Sequence, residues 1–309
     1  MNESYPEKLI RSLSAPLRPQ PTGVAPRLTR LPGIRAVLFD IYGTLFISGS
    51  GDVGTADTGR HGAAFATVLR EAGLCTEKES QRLATEGPAA LETAILAEHQ
   101  RLKKNGIATP EIDILTIWQR VLDAFYSDGV LGTAPSEDPA TLKRIAISYE
   151  CRTNPVWPMP GLTACITSLR QRGMILGIVS NAQFYTPLLF RPFLKKNHEE
   201  MGFDPEFCAW SYRTQHAKPS KQMFTTVLER LKARFGIAAH NVVYVGNDVR
   251  NDIAPAAEVG MHTALFAGDA RSLRLRDNDP LYANSKPDLV LTELQQLPHC
   301  LTRRNETDN

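Results

Sequence analysis

The chain has 309 residues, of which 42% are hydrophobic and 22% charged, and its net charge at pH 7 is +2. This is an ordinary globular composition, too near neutral to indicate a nucleic-acid or an anionic-membrane partner. No apolar run approaches the roughly 18–20 residues that a membrane span needs, and no secretory signal pattern is present, so the sequence predicts a cytoplasmic protein.

Three polar segments are expected to lie at the surface. Residues 1–32 are rich in proline, serine and arginine and show little periodicity, which predicts a poorly ordered or surface-lying N-terminal extension. The basic stretch of Arg271, Arg274 and Arg276 is interpreted as a solvated loop. Residues 301–309 are polar and are expected to form a frayed tail.

Five short apolar runs have the character of strands that are buried on both faces. Helical patterns lie between most of them, for example at Leu162, Ile166 and Leu169 before the second run. Strands that alternate with helices indicate the α/β class, with a doubly wound, Rossmann-like parallel sheet. We assign residues 33–47 and 155–300 to this core. The five predicted strands are Ala36–Phe39, 175–179, 242–245, 263–266 and Leu289–Leu291.

The stretch 48–154 breaks the alternation, because it contains helical patterns and no convincing strand. Apolar residues recur there in three stripes at helical spacing, and each stripe defines one helix face. An all-helical cap domain, inserted between two strands of the core, is therefore predicted over 48–154. Gly49, Gly51 and Gly54 form either its hinge or a plain flexible loop. The stripes are Phe65, Val68, Leu69 and Ala72; Leu91, Ile95 and Leu102; and Ile114, Trp118, Val121 and Phe125.

Polar segments follow the first two core strands, at the ends that line the ligand crevice of a parallel sheet. Asp40 comes directly after the first strand, and Gly43 stands three residues later, so a tight turn can hold the carboxylate rigidly and face an anion. Taken alone, Asp40 also suits an Asx turn or a helix cap. Ser180 and Asn181 follow the second strand and either hydrogen-bond an oxyanion or form an ordinary strand-end turn.

Two later segments carry charge. Lys218 can neutralise both a nucleophile and a substrate anion, although a lone lysine is usually a solvated surface residue. Asn247, Asp248 and Asp252 follow the strand 242–245, and the two aspartates fall on one side if a helix begins there. Their oxygens suit Mg²⁺, or they cap the helix N-terminus.

These four segments, in this order, resemble those of the haloacid dehalogenase superfamily, and the resemblance extends from residue 34 to about residue 295. It implies a hydrolase in which Asp40 attacks the substrate and forms a covalent aspartyl ester. It also implies that Ser180 and Lys218 hold the anion or the nucleophile, and that acids near Asp248 and Asp252 hold Mg²⁺ in the phosphatases. The catalytic candidates are Asp40, Tyr42 and Lys218, the substrate-binding candidates are Thr44, Ser180, Asn181 and Asn247, and the candidate metal ligands are Asp40, Asp248 and Asp252.

Departures from the family pattern point in opposite directions. Family phosphatases carry a second aspartate two residues after the nucleophile, where this chain has Tyr42. An alkoxide leaving group must be protonated, and a tyrosine with a pKa near 10 is a poor general acid, whereas a halide needs no proton. The segment Asp-x-Tyr-Gly-Thr-Leu resembles the 2-haloacid dehalogenase branch, which uses no metal. Asp248 and Asp252 favour a metal site. If the alignment with the family is shifted by one residue, however, the first metal-ligand position falls on Asn247 instead of Asp248. Phe224 is a further departure, because the dehalogenases have a tyrosine at that position.

Three interpretations stay open from the sequence. The first is hydrolysis at carbon of a small 2-substituted carboxylic acid, without a cofactor. The dehalogenases bind the halide through an arginine of the cap; the candidates for it here are Arg60 and Arg70, by proximity alone. The second is a phosphatase for a small metabolite, with Mg²⁺ as cofactor. The third is a non-catalytic, ligand-binding member, which the joint presence of Asp40, Ser180 and Lys218 disfavours. The two hydrolase interpretations imply a small-molecule substrate and the third a ligand or partner; neither a nucleic acid nor a membrane is expected.

Overall fold

The computed structural model describes residues 4–50, 58–136, 138–282 and 285–302. The strands in these ranges are β1 Leu31–Pro32, β2 Ala36–Phe39, β3 Phe46–Ser48, β4 Val156–Pro158, β5 Ile175–Ser180, β6 Phe203–Trp210, β7 Val242–Gly246, β8 His262–Phe266, β9 Leu289–Leu291 and β10 Leu301–Thr302. Six of them form a parallel sheet in the order β6-β5-β2-β7-β8-β9. Two short pairs accompany it: β1 with β10, and β3 with β4.

All five predicted strands are present, each within one residue of its predicted bounds. The predicted α/β architecture with a doubly wound parallel core is thereby confirmed. Strand β6 was missed by the sequence pattern, because Asp204, Pro205 and Glu206 interrupt its apolar residues. It lies at the edge of the sheet, where a proline costs no ladder hydrogen bond on the solvent side.

Helices flank the sheet and fill the inserted stretch. They are α1 Tyr5–Leu13, α2 Thr58–Glu71, α3 Glu77–Lys104, α4 Ile114–Ser127, α5 Pro139–Thr153, α6 Leu162–Gln171, α7 Phe190–Leu194, α8 His198–Met201, α9 Ser211–Thr214, α10 Gln222–Phe235, α11 Ala254–Glu258 and α12 Gln296–Cys300. Within the described ranges, none of these helices combines the length and the apolar character needed to cross a bilayer.

Helices α2 to α5, which we call the helical insertion, share a hydrophobic cluster of their own. Phe65 stacks on Trp118 with 5.1 Å between ring centroids, and Tyr149 meets Trp118 edge-on at 5.2 Å. The helical content of this stretch agrees with a cap domain, while the domain bounds stay a prediction. Of the predicted hinge, Gly51 and Gly54 lie outside the described residues.

An ion-pair network on the helical insertion gives a pH-dependent prediction. The Glu98 carboxylate, on α3, is 2.6 Å from Arg101 and 3.2 Å from Arg120 on α4, and its side chain is 10% exposed. Hydrogen bonds from Arg101 and then Arg120 outweigh burial and lower the pKa of Glu98 from 4.5 to about 2. A depressed folded-state pKa stabilises the protein above the unfolded pKa, and this stabilisation is lost as the pH falls from about 4.5 towards 2.

Glu98→Gln is therefore expected to lower the free energy of unfolding by on the order of 1 kcal/mol at pH 7, with a gap to the wild type that shrinks below about pH 4.5. Urea unfolding at pH 7, 4 and 3 measures this gap. Glu86→Gln on the same helix is the matched control, because its pair with Arg82 is exposed on both sides. A gap for Glu98→Gln that stays constant over this pH range would contradict the prediction.

The sequence predicts an N-terminal extension that is poorly ordered or lies on the surface, and within it the structure places an ordered helix, α1, in which only Glu7 and Ile10 are buried. This helix begins with a capping box in which Ser4 N–H donates to Glu7 Oε2 at 2.7 Å, and its Ile10 is only 1% exposed. It packs on α5 and α7, and Glu7 lies 3.4 Å from Arg191. The short apolar face was hidden because prolines dominate the composition of the segment. The predicted tail also begins too early, since Leu301–Thr302 forms β10; residues 303–309 lie outside the described residues.

The order of the strands places a ligand crevice at the end of β2. This strand lies between β5 and β7, and the chain passes from one side of β2 to the other as it continues along the sheet. In open parallel sheets, ligands bind outside the carboxyl ends of the strands where such a reversal occurs. Asp40 is the first residue after β2, so its carboxylate lies at this crevice.

Candidate active site

Asp40 is held by the sheet and by the turn that follows it. Its backbone N–H donates to the carbonyl of Val245 on β7 at 2.9 Å, which continues the ladder past the end of β2. In the turn, Gly43 has a φ of +78°, and a Cβ atom there would lie 2.5 Å from the Cβ of Ser272. Glycine is therefore required by both conformation and space. The carboxylate side chain is 9% exposed, so it is nearly enclosed and still reachable.

The ammonium group of Lys218 joins the two carboxylates at the centre of the site. Its Nζ donates to Oδ1 of Asp40 at 2.7 Å, to Oδ1 of Asp252 at 2.5 Å and to the phenol oxygen of Tyr244 at 3.0 Å. These three bonds use all three ammonium protons. The structure thus brings Asp40 and Lys218 together as the sequence predicts. Within the described part of the chain, Oδ2 of Asp40 accepts no hydrogen bond, so this oxygen is available to attack.

The protonation of Lys218 and Asp252 depends on their burial and on the charges next to them. Burial alone would lower the pKa of Lys218, but the charges of Asp252 and Asp40 raise it above its usual value, so the ammonium stays protonated. Burial raises the pKa of Asp252, and the neighbouring Lys218 opposes this shift. One cation thus faces two carboxylates in a site with little solvent. Such an arrangement keeps the lysine charged and fixed beside Asp40.

The side chains of Ser180 and Asn181, at the end of β5, form hydrogen bonds with backbone groups of the protein. Oδ1 of Asn181 accepts from the backbone N–H of Lys218 at 2.7 Å, and its Nδ2 donates to the Lys218 carbonyl at 3.4 Å. Asn181 therefore fixes the backbone that carries the lysine. Ser180 is fully buried, and its hydroxyl donates to the carbonyl of Asn181 at 3.2 Å. Substrate binding by these two residues stays a prediction.

Thr44 and Asn247 connect the first and fourth polar segments. The Thr44 hydroxyl donates to Oδ1 of Asn247 at 3.0 Å, and Nδ2 of Asn247 donates to the carbonyl of Ser272 at 2.6 Å. Both residues are buried. Asn247 therefore contacts the turn that follows Asp40. Because its side chain is a neutral amide, it adds no negative charge that could help to hold a metal ion. Their role in binding substrate stays a prediction.

Both aspartates of the fourth segment are paired with cations of the protein. Arg276 binds Asp248 through two bonds, Nη2 to Oδ2 at 2.6 Å and Nε to Oδ1 at 3.1 Å. The second oxygen of Asp252 accepts from the backbone N–H of Asp248 at 2.9 Å, while its first oxygen binds Lys218. Asp248 also accepts from the backbone N–H of Arg250 at 2.8 Å and caps the turn, Val249–Ile253, that leads into α11.

This pairing bears on the predicted magnesium site. Among the residues that the structure describes, no group of three or more His, Cys, Asp or Glu side chains is arranged to hold a metal ion. The predicted trio of Asp40, Asp248 and Asp252 is thus not assembled as expected, because Asp248 turns to Arg276 and Asp252 to Lys218. Hard divalent cations need several oxygen ligands with free lone pairs and uncompensated charge, and these residues do not fit that requirement.

Tyr42 follows Asp40 by two residues, and its phenol is not poised to transfer a proton. Its phenol is 3.0 Å from the hydroxyl of Thr186. Burial, reinforced by the charge of Glu150, raises the pKa of Tyr42 well above 10, although the bond to Thr186 opposes the shift. A group with so high a pKa is a weak general acid at neutral pH.

Several residues of the site escaped the sequence interpretation. In the sequence, Tyr244 looks like one more core residue of strand β7. In the structure its buried hydroxyl lies next to Lys218 and donates a hydrogen bond to the Val179 carbonyl at 2.7 Å. The sequence predicts a solvated loop for Arg276. This prediction is wrong for its side chain, because the guanidinium group of Arg276 donates to Asp248. The suggested halide-binding arginines lie elsewhere: Arg60 donates to a carbonyl at the end of α5, and Arg70 pairs with an exposed glutamate.

Comparisons with known proteins match the chain to a family model and to solved structures. A family model described as a haloacid dehalogenase-like hydrolase matches residues 34–260. The solved 2-haloacid dehalogenase of Pseudomonas syringae pv. tomato DC3000 has a TM-score of 0.51 and 20% identity, covering 86% of this chain and 97% of its own. L-2-haloacid dehalogenase of Xanthobacter autotrophicus has a TM-score of 0.45 and 19% identity, covering 86% and 97%.

A third structure, the putative HAD-hydrolase YfnB of Bacillus subtilis bound to magnesium, has a TM-score of 0.43 and 18% identity, again covering 86% of this chain and 97% of its own. No curated protein matches the chain. At these identities the structural likeness shows a shared fold, and the function has to be argued from the site.

Proposed function

The chain belongs to the haloacid dehalogenase-like hydrolases, and on that basis we propose that it hydrolyses a small 2-substituted carboxylic acid, such as a 2-haloacid, at carbon. In this proposal Asp40 is the covalent nucleophile and no metal ion takes part. The partner of the protein is then its small-molecule substrate.

The observation that carries the proposal is the pairing of both aspartates of the fourth segment, Asp252 and Asp248, with cations of the protein. Asp252 is bound by Lys218 at 2.5 Å and Asp248 by Arg276 at 2.6 Å. A phosphatase of this family needs its acids for Mg²⁺, which offsets the charge of a phosphoryl group. A carboxylate substrate carries one negative charge and therefore needs less compensation than a phosphoryl group does.

The leaving group gives independent support. Phosphate monoester hydrolysis expels an alkoxide that has to be protonated, and general acid catalysis contributes roughly 10²–10⁴-fold to such a step. Tyr42 stands at the position of the missing acid, and burial holds the pKa of its phenol well above 10. A halide leaves without a proton, so Tyr42 is compatible with cleavage of a carbon–halogen bond.

The reaction has two steps. Oδ2 of Asp40 attacks C2 of the substrate, the halide leaves with the bonding electron pair, and an ester joins Asp40 to C2. Lys218, bound to Oδ1, orients the carboxylate. Water then attacks the carboxyl carbon of Asp40, and the bond from this carbon to the substrate oxygen breaks. The products are a 2-hydroxy acid, halide and a proton, and the free carboxylate of Asp40 is restored.

A paired release assay tests this proposal. The full-length protein is incubated with 2-chloropropionate and, separately, with a panel of small phosphate monoesters, each with Mg²⁺ or with EDTA. We expect halide release that EDTA does not lower, and no phosphate release. Asp40→Asn, purified in parallel, controls for contaminating enzymes. Phosphate release that requires Mg²⁺ would overturn the proposal in favour of a phosphatase, and release of neither anion would favour a non-catalytic role.

A further inference from the structure

The helical insertion contacts the core through the short connection between α3 and α4. The backbone N–H of Glu111 in this connection donates to the carbonyl of Gln215 at 3.0 Å, and the backbone N–H of Ala217 donates to the carbonyl of Thr109 at 2.8 Å. These two bonds form an antiparallel pairing between the insertion and the core. Ala217 directly precedes Lys218, so the pairing holds the backbone that leads into the lysine.

The side chain of Glu111 adds a polar contact to this pairing. Its Oε2 accepts from the hydroxyl of Ser211 at 2.6 Å, and its Oε1 accepts from Nε2 of Gln183 at 3.1 Å. Burial raises the pKa of Glu111, although these hydrogen bonds oppose the shift. A carboxylate in such surroundings is costly unless it is hydrogen-bonded, so its bonds to the two core residues are specific contacts.

The core partners of Glu111 belong to the loops that hold Lys218. Ser211 is fully buried at the start of α9, and its hydroxyl oxygen also accepts from the backbone N–H of Ala182 at 2.8 Å. Ala182 follows Asn181, whose amide bonds to both backbone groups of Lys218. The backbone of the lysine is therefore held by the core on one side and by the insertion on the other.

The conformation of Gln215 is an independent observation on the same segment. Its φ is +58°, in the left-handed region that residues other than glycine rarely adopt. Its N–H donates to the carbonyl of Ser211 at 2.8 Å, and its own carbonyl accepts from Glu111. Such strained conformations persist where surrounding contacts hold them. Loss of the contact with the insertion should therefore let the segment before Lys218 relax.

We infer that Glu111, a residue of the helical insertion, is a positioning residue for Lys218. Its carboxylate and backbone fix the core segment that carries the lysine, so the placement of the ammonium group beside Asp40 depends on the contact between insertion and core. The consequence for catalysis rests on the proposed function, whereas the effect on the lysine segment does not. Misplacement of a catalytic group by a distant change can cost on the order of 10²-fold in rate.

Amide hydrogen exchange of the substrate-free, full-length protein tests the contact without requiring turnover. Mass spectrometry follows the peptide that covers residues 211–219. In Glu111→Ala we expect this peptide to exchange about tenfold faster than in the wild type, because local opening is no longer opposed by the contact. Glu111→Gln should show a smaller rise, since its amide keeps one acceptor oxygen and can donate to the hydroxyl of Ser211.

Asp113→Ala is the matched control. Asp113 lies two residues from Glu111 in the same connection, and its carboxylate accepts from the backbone N–H of Leu115 at 3.0 Å and from the hydroxyl of Thr116 at 3.1 Å. Both partners are in α4, so this variant loses a helix cap of the insertion and leaves the contact with the core in place. Exchange of residues 211–219 should match the wild type.

Steady-state halide release from 2-chloropropionate, measured on the same samples, distinguishes positioning from a general loss of structure. Glu111→Ala should lower kcat by about tenfold, with a change in KM of less than about twofold because an interaction that serves the chemical step has been lost. Glu111→Gln should retain more of the wild-type kcat than Glu111→Ala does, and Asp113→Ala should match the wild type.

Wild-type exchange of residues 211–219 in Glu111→Ala would overturn the inference. An equal rise in Asp113→Ala, or faster exchange with an unchanged kcat, would do the same. If Glu111→Ala does not fold, the comparison of Glu111→Gln with the wild type decides. Absence of halide release from the wild-type protein would refute the proposed reaction, while the exchange result would still decide whether Glu111 holds the lysine segment.

Discussion

Asp40→Asn is expected to reduce turnover by at least about 10⁴-fold, because an amide oxygen is a poor nucleophile and removal of a covalent nucleophile typically costs this much or more. The variant should remain folded. The amide can still accept the hydrogen bond that Lys218 donates at 2.7 Å, and Lys218 keeps its pair with Asp252 at 2.5 Å. Steady-state halide release measures the loss, and urea unfolding measures the stability.

Asp252→Asn is the matched control for this change, since it neutralises the other carboxylate on the same ammonium group. If Asp40 is the nucleophile, its replacement should cost at least about tenfold more activity than replacement of Asp252. Similar losses in the two variants would mean that Asp40 acts through the charge of the cluster rather than as the attacking atom.

A single-turnover reaction in H₂¹⁸O identifies the attacking atom directly. With enzyme in excess, the oxygen of the first product molecule comes from Asp40 and is ¹⁶O, while ¹⁸O enters the Asp40 carboxylate and is detected by peptide mass spectrometry. Under multiple turnover the product carries ¹⁸O. Product that contains ¹⁸O in the first turnover would show that water attacks the substrate directly and that no ester forms.

The sequence was sufficient to predict five of the six strands of the sheet and the contact between Asp40 and Lys218 for one physical reason. Strands buried on both faces leave uninterrupted apolar runs, and polar residues at their carboxyl ends converge on one edge of a parallel sheet. Asp40 and Lys218 are 178 positions apart in the chain and form a contact of 2.7 Å. The order of the segments therefore carried the spatial information that no single segment contained.

Other features of the site depend on packing that leaves little trace in the local pattern. Arg276 reaches Asp248 because the loop that carries it lies along the fourth segment, where the backbone N–H of Val249 donates to the carbonyl of Arg274 at 2.9 Å. The sequence contains only a run of charges there. Tyr244 is likewise hidden, since one hydroxyl in a strand of β-branched residues looks like another core position. The same limit applies to α1, a helix of nine residues with Pro6 in its first turn and Pro16 shortly after its end.

Lys218→Met is expected to lower the free energy of unfolding by about 3–5 kcal/mol, because it leaves two buried carboxylates without their shared cation. Asp40 and Asp252 then repel each other without an intervening positive charge. Halide release should fall by at least about 10²-fold as electrostatic support for the reacting carboxylate is lost. The stability change is measured by urea unfolding and the activity by initial rates.

The control is Lys221→Met, three residues away, whose ion pair with Glu258 at 3.0 Å is more than half exposed on both sides. This change should alter stability by no more than about 0.5 kcal/mol. The double variant Lys218→Met/Asp252→Asn separates charge balance from chemistry. It removes the repulsion between the carboxylates, so it should regain part of the stability that Lys218→Met loses, while activity stays low because Asp40 still lacks its ammonium partner. Recovery of activity together with stability would mean that Lys218 serves only to neutralise Asp252.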